Sequence, residues 1–486
     1  MKNFPEELRL FLSGRSLLAS EIPFPTEELD RQTSIGHIKT TPGIVKKSNR
    51  WCCNRCSNSA QRLFANYPCS NCQKENGCFY CRKCIMMGRV SSCTSLYTWC
   101  GLPVRGFQKR SFNIPRKKIT RKSALSSKLP TIFRYSYLSW DGELSPGQQV
   151  ASRAAIQAVK TKNDVLIWAV CGAGKTEVLF EAIEKALLSG HRICIATPRT
   201  DVVLELAPRF KKVFPQIKVA ALFGGTEDRH LFAPLTISTT HQLMRFEKAF
   251  DVMVVDEVDA FPFSYDEGLQ WAVEKSTKNS AARIFLTATP NEKWQLECKY
   301  GKRNHVKIPA RYHRKPLPIP IFKWCGDWRK QFEKGRIPKN VEAWVKKRII
   351  SDKQALVFLP DIKLMEKALP LFRKLHPEIE SVYAEDPNRK EKVERMRSKK
   401  IPLLLTTTIL ERGVTFPNID VAVVGAEDDI FTEAALVQIS GRVGRSSEFP
   451  TGNITFFHYG RTKSMIRALI HIEHMNKEAL KKEMID

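Results

Sequence analysis

No stretch of the 486 residues approaches the roughly 20 consecutive apolar positions that a bilayer-crossing helix requires. The opening MKNFPEELRL carries charges where a secretory leader is apolar, so the chain reads as cytosolic, with peripheral contact at the inner face of a membrane left open. Acidic residues are also in short supply. Asp and Glu number 50 against 79 Lys and Arg, and the formal net charge of +29 calls for a polyanionic partner. Nucleic acid is the first candidate, because its phosphates reward many weak basic contacts at once. Cysteine is scarce over most of the chain, with only four of 14 outside residues 52–100. Ten clustered thiols in a reducing compartment argue against a disulfide framework and for metal.

A chain this long needs several cores. Residues 1–50 form a mixed, turn-rich N-terminal region, and residues 51–100 the cysteine-rich module. A basic and aromatic linker occupies 101–135. Residues 101–140 hold ten Lys or Arg and no acidic residue, together with Phe107, Phe112, Phe133, Tyr135 and Tyr137. Cations interleaved with aromatics suit single-stranded nucleic acid, whose phosphates pair while its bases stack.

From residue 136 onward short apolar runs alternate with amphipathic stretches. DVLIWAV, RICIATP, KVAALF, LTIST, VMVVDE and RIFLTAT predict buried strands over 136–300. QALVFLP, ESVYAE, IPLLLTTT, VAVVGA and NITFFHYG predict a second series over 301–460, and 461–486 reads as a charged C-terminal helix. This alternation is the pattern of parallel sheets covered by helices on both faces, so the expected fold class is α/β. IPARYHRKPLPIP, proline-rich and basic, suits a connector or an edge element.

The first strand runs into AVCGAGKT, with Ala169, Val170, Cys171, Gly172, Ala173, Gly174, Lys175 and Thr176. This is a phosphate-binding loop in which Ala169 replaces the first glycine. Its glycines let backbone N–H groups close around the phosphates of ATP, Lys175 reaches the β and γ phosphates, and Thr176 ligates Mg²⁺. About 80 residues later an apolar strand ends in DEVD. Asp256 is placed to hold the metal and Glu257 to orient and deprotonate the attacking water.

The order of motifs resembles helicase superfamily 2, which implies two RecA-like motor domains. By that resemblance Gln148 reads adenine, with Gln149 as the alternative. TPRTDVVLEL with Arg199, FGGT with Gly224 and Gly225, and STTHQLMRF with Thr239 and Thr240 match segments that track a nucleic-acid backbone. TAT, residues 287–289, matches the element coupling hydrolysis to domain movement. TTTILERGVTF brings Thr407, Arg412 and Gly413 to the domain cleft. QISGRVGR supplies Gln438, Gly441, Arg442, Gly444 and Arg445, the arginine-bearing motif that stabilises transition-state charge when the domains close.

Three Cys-x-x-Cys pairs, Cys53/Cys56, Cys69/Cys72 and Cys81/Cys84, precede the motor. Two such pairs complete a tetrahedral Zn²⁺ site. Cys53 and Cys56 with Cys81 and Cys84 are the first expectation, each pair carrying a basic residue inside its knuckle. Cys69 and Cys72 either replace one of these pairs or join Cys78, Cys93 or Cys100 in a second site.

Zinc knuckles ahead of a superfamily 2 motor, with CRKCIMMGRV, ATPRTDVVLEL, DEVDAFPF, TTTILERGVTFPNIDV and QISGRVGR, resemble the ComFA family of bacterial competence motors. The resemblance implies binding of incoming single-stranded DNA and its ATP-driven uptake during transformation. It also implies ComFC, DprA and the ComEC channel as partners, and leaves a monomer or a homo-oligomer open. PriA-like restart helicases also combine this motor with zinc, but within the motor. An RNA helicase of the DEAD-box type would show DEAD and HRxGRxGR where this chain has DEVD and QISGRVGR. From another class, a zinc-dependent nucleic-acid binding module with a switch-type ATPase fits the same motifs.

Overall fold

The computed structural model describes residues 4–69, 72, 77–102, 116–118, 133–412 and 414–485. Gly413, Phe107, Phe112 and most of the basic stretch fall outside them. Of the expected stacking aromatics, Tyr137 is buried in the motor core.

Two parallel sheets organise the α/β part of the chain. In the first, the strand order is Val219–Leu222, Leu235–Thr239, Ile193–Thr197, Phe250–Asp256, Thr277–Thr287, Asp164–Ala169, His305–Ile308. The strand carrying TAT thus lies between the phosphate-loop strand and the DEVD strand. In the second, the order is Ile321–Trp324, Ile454–His458, Ile419–Val424, Gln354–Phe358, Leu403–Thr406, Glu380–Val382. Every pairing in both is parallel, so each strand returns through a crossover.

All eleven expected strands are present, and two more flank them. His305–Ile308 and Ile321–Trp324 lie at sheet edges and are only partly buried, so neither needs the continuous apolar run that marks an inner strand. The first domain therefore extends past the expected limit at residue 300. IPARYHRKPLPIP opens on Ile308, the last residue of the first of these edge strands, and continues as the connector.

Period-two alternation sends the first sheet's side chains to two different cores. Ile193, Ile195, Val252 and Val254 pack on one face, and Cys194, Ala196, Met253 and Val255 on the other. That second core also contains Leu18, Ile44, Cys53, Cys56, Cys81, Cys84, Val90 and Leu96. The cysteine module is built into a face of the first sheet domain instead of hanging from it.

The expected boundary at residue 50 falls inside one folded unit. Ser95–Trp99 pairs antiparallel with both Ser16–Leu18 and Ile38–Pro42, so the N-terminal region and the cysteine module share a sheet. Polar contacts fix this unit to the first motor domain. Arg55, fully buried, donates to the Met87 carbonyl at 2.9 Å and pairs with Glu21. Glu21 also accepts from Arg245 at 2.7 Å, and Arg245 reaches the Met87 carbonyl at 3.1 Å. Lys83 meets Asp266 at 2.7 Å. The C-terminal helix, Lys463–Lys481, ties back to the edge strand through Lys307 and Glu478 at 3.3 Å.

Candidate functional site

In a parallel α/β sheet the loops leaving the carboxyl ends of the strands form the binding crevice. The motifs read from the sequence sit there. The phosphate loop follows Asp164–Ala169, Arg199 follows Ile193–Thr197, Gly224 follows Val219–Leu222, and Asp256 ends its strand. Thr239 and Thr287 close their strands, and Thr407 follows Leu403–Thr406.

The phosphate loop needs glycine at two positions. Gly172 (φ +82°) and Gly174 (φ +70°) occupy the left-handed region, which turns the backbone sharply into the helix starting at Lys175. Gln148 is the N3 residue of a capping box: its side chain accepts from the Ser145 amide at 2.8 Å. Its amide nitrogen donates to the carbonyls of Ala173 and Gly174, at 3.0 and 3.3 Å, so the residue expected to read adenine is clamped to the loop that holds the phosphates.

The DEVD motif is electrostatically loaded. Burial pushes the Asp256 carboxyl up to about 6, with Lys175 opposing the rise and Glu257 adding to it. Glu257 adopts φ +56°, a strained conformation for a residue with a long side chain. Asp259 is buried, which by itself would raise its carboxyl, yet Arg412 and the hydroxyls of Thr287 and Thr289 hold it well below the usual carboxylate range. Both hydroxyls donate at 2.6 Å, so the TAT segment is fastened to the carboxylate that ends DEVD.

Several bonds cross from one sheet domain to the other. Arg412 reaches Asp259 at 2.5 Å and Glu257 at 3.7 Å. Arg199 donates to the Ile409 carbonyl at 2.8 Å, and Arg389 pairs with Asp201. Cys171 Sγ donates to Gln438 Oε1 at 2.9 Å. The turn of Gly441 lies so near that a Cβ there would sit 2.4 Å from that of Cys171.

The two arginines of QISGRVGR differ. Arg442 is buried and donates to the Glu411 carbonyl at 2.8 Å and to that of Val414, bracing the neighbouring motif. Arg445 is half-buried and bonds Thr415 Oγ1 at 3.0 Å. Of the residues expected on the nucleic-acid track, Gly224 and Gly225 are open, Thr407 is half-buried, and Thr239 and Thr240 are buried. Arg199 and Arg412 are engaged between the domains.

Arg311 escaped the sequence reading. It is 1% exposed and lies against Gly172, donating to the Gly444 carbonyl and, at 3.4 Å, to that of Gly441. Next to it, the Tyr312 amide donates to the Gly172 carbonyl at 3.2 Å. The connector thus straps the phosphate loop to the arginine motif. A basic residue in a proline-rich connector carries no spacing signal that would have singled it out.

The cysteines form two groups of four. Cys53, Cys56, Cys81 and Cys84 are buried, and Cys69, Cys72, Cys78 and Cys93 are half-buried to buried; within each group the sulfurs lie within 4.8 Å of one another. In the first group Cys53 and Cys84 are 3.8 Å apart and Cys56 and Cys81 3.7 Å. A tetrahedron of thiolates with metal–sulfur bonds of about 2.3 Å has edges of about 3.8 Å, so the donor set fits zinc.

Comparison with known proteins bears on the whole chain. Residues 2–98 match the competence protein ComFA N-terminal domain, residues 141–292 the type III restriction enzyme res subunit, and residues 340–447 the helicase conserved C-terminal domain. The chain therefore carries helicase-type ATPase domains. In fold it is similar to Mss116p bound to ssRNA and AMP-PNP, with a TM-score of 0.50 and 16% identity over 71% of this chain and 82% of that one. It is 35% identical to competence protein ComFA of Streptococcus pneumoniae R6, over 96% of this chain and 98% of the relative. With the competence protein ComFA of Bacillus subtilis strain 168 it shares 45% identity over 100% of its own length and 98% of the relative's, and the chain belongs to the ComFA family of competence proteins.

Proposed function

We propose that this chain is an ATP-driven motor that moves along single-stranded DNA and draws it in during transformation. The observation that carries the reading is that Arg412 of the second sheet domain pairs with Glu257 and Asp259 of the first, while Gln438 bonds Cys171 of the phosphate loop. Closing the cleft between the domains brings Gln438 onto the phosphate loop through Cys171 and Arg412 onto DEVD, so events at the nucleotide bear directly on the relation between the domains.

Each residue then has a part. Gly172 and Gly174 shape the loop around the phosphates, Lys175 and Thr176 face their β and γ groups, and Glu257 orients the attacking water. Magnesium, held by Thr176 and Asp256, would neutralise charge on the phosphates. Asp259 passes a change at DEVD to Thr287 and Thr289 on one side and to Arg412 on the other. Arg445, half-buried and held by one hydroxyl, is free to turn toward the phosphates. Cys53, Cys56, Cys81 and Cys84 would hold a structural zinc. ComFC, DprA and the ComEC channel are the partners that family membership brings to this reading, together with a peripheral place at the membrane. Among the described residues no helix is long and apolar enough to cross a membrane.

The test is ATP hydrolysis without polymer, then with single-stranded DNA, duplex DNA and RNA, across a salt series. Single-stranded DNA should stimulate most, and each phosphate neutralised should contribute a slope of about −0.7 in log affinity against log salt. Stimulation by RNA alone would overturn the DNA reading. A directional translocation assay with Lys175→Ala as control separates a motor from a switch.

A further inference from the structure

We infer that Cys69, Cys72, Cys78 and Cys93 form a second metal site, separate from the buried one and selective for a thiophilic divalent cation, zinc. Four sulfurs converge from three places: the loop that follows Phe64–Tyr67, the start of Cys78–Cys81, and the turn that precedes Ser95–Trp99. Cys69 and Cys93, separated by 24 positions, bring their sulfurs to 3.7 Å, the edge expected of a four-thiolate tetrahedron and far beyond the ~2.05 Å of a disulfide.

Polar groups surround the cluster. Tyr67 donates its hydroxyl to the Cys69 sulfur at 3.3 Å, Ser92 Oγ lies 3.1 Å from that of Cys78, and Ser91 Oγ 3.5 Å from that of Cys93. The Arg89 guanidinium lies 4.2 Å from the Tyr67 ring centre and adds positive charge beside the cluster. Outer donors of this kind offset the charge that four thiolates bring to one cation. An apolar cluster would need none of them.

The strand Cys78–Cys81 explains why there are two sites and not one. Side chains three apart on a strand point to opposite faces. Cys78 therefore goes to the second cluster and Cys81 to the first, and the turn after Cys81 brings Cys84 back to its side. One strand of four residues is held at each end by a different metal. The first joins it to Cys53 and Cys56, which pack in the core shared with the first sheet, and the second joins it to the turn that leads into the central strand of the N-terminal sheet.

The test is zinc content per chain of the full-length protein, with intact mass. The expected result is two zinc ions for the wild type, one for Cys93→Ser and for Cys78→Ser, and two for the controls Cys52→Ser and Cys100→Ser, whose thiols belong to neither cluster. One zinc in the wild type overturns the inference, as does an unchanged count in Cys93→Ser or an intact mass short of the hydrogens of a disulfide. Should the serine variants fail to fold, wild-type protein loaded with Co²⁺ decides. Its sulfur-to-cobalt charge-transfer absorbance per chain should be twice that of a single four-thiolate site, and a single-site value refutes the second metal.

Discussion

Cys171 and Gln438, 267 positions apart, meet with the thiol donating to the amide oxygen at 2.9 Å, and this contact brings the phosphate loop and the arginine motif together. Arg311 underpins the same junction from the connector, spanning the carbonyls of Gly441 and Gly444.

Replacing Arg311 by Met removes two charged hydrogen bonds, each worth about 1.5–3 kcal/mol when buried. Turnover should fall about tenfold or more while nucleotide affinity stays within about twofold, because the substitution loosens the arginine motif and leaves Lys175 in place. Arg311→Lys should rescue little, since one ammonium cannot fork to two carbonyls. Single-turnover hydrolysis and fluorescent-nucleotide binding separate the two effects, and equal losses in both would count against a positioning role.

Arg412 is 2% exposed and neutralises Asp259 across the domain boundary. Removing one partner of a buried pair costs about 3–5 kcal/mol. Arg412→Met should therefore split a shared thermal transition into two, one for each sheet domain. Calorimetry that shows one unchanged transition would sink this account.

Asp256 links stability to pH. Its folded-state value of about 6 stands above the ordinary 3.8, so the folded chain holds this proton more tightly than the unfolded chain. Stability is therefore highest below the ordinary value and declines as pH rises through the folded one. In nucleotide-free, magnesium-free buffer near neutrality, Asp256→Asn should raise stability by about 2–3 kcal/mol while abolishing turnover. Melting temperature against pH tests this: the gap between variant and wild type should close on acidification.

The buried cysteine site shares its core with Met253, Val255, Phe250 and Leu269 of the motor. Cys81→Ser should therefore destabilise the first motor domain as well as the cysteine module, and should weaken nucleotide binding some distance away. Limited proteolysis showing loss of residues 16–99 alone, with an intact motor, would contradict the shared core.

Much of the site was legible in the sequence because its chemistry is local. AVCGAGKT needs two closely spaced glycines and a lysine on one turn, and DEVD needs carboxylates at the end of a buried strand; both announce themselves in a short window. The inner strands were legible too, since burial on two faces demands unbroken apolar runs. Arg311, the edge strands and the engagement of Arg199 and Arg412 between domains were not, because each depends on a partner more than 100 positions away.

Residues 77–84, GCFYCRKC with Cys78, Cys81 and Cys84, show the division most plainly. The sequence by itself determined that these cysteines suit metal, since thiols in Cys-x-x-Cys pairs can share one cation. It also determined that helicase-type ATPase motifs follow. Three equally spaced cysteines cannot say which cluster each joins. Only the tertiary structure decided that, because the pleat of Cys78–Cys81 turns its two ends to opposite faces, and the partners that complete each cluster arrive from strands and turns far along the chain.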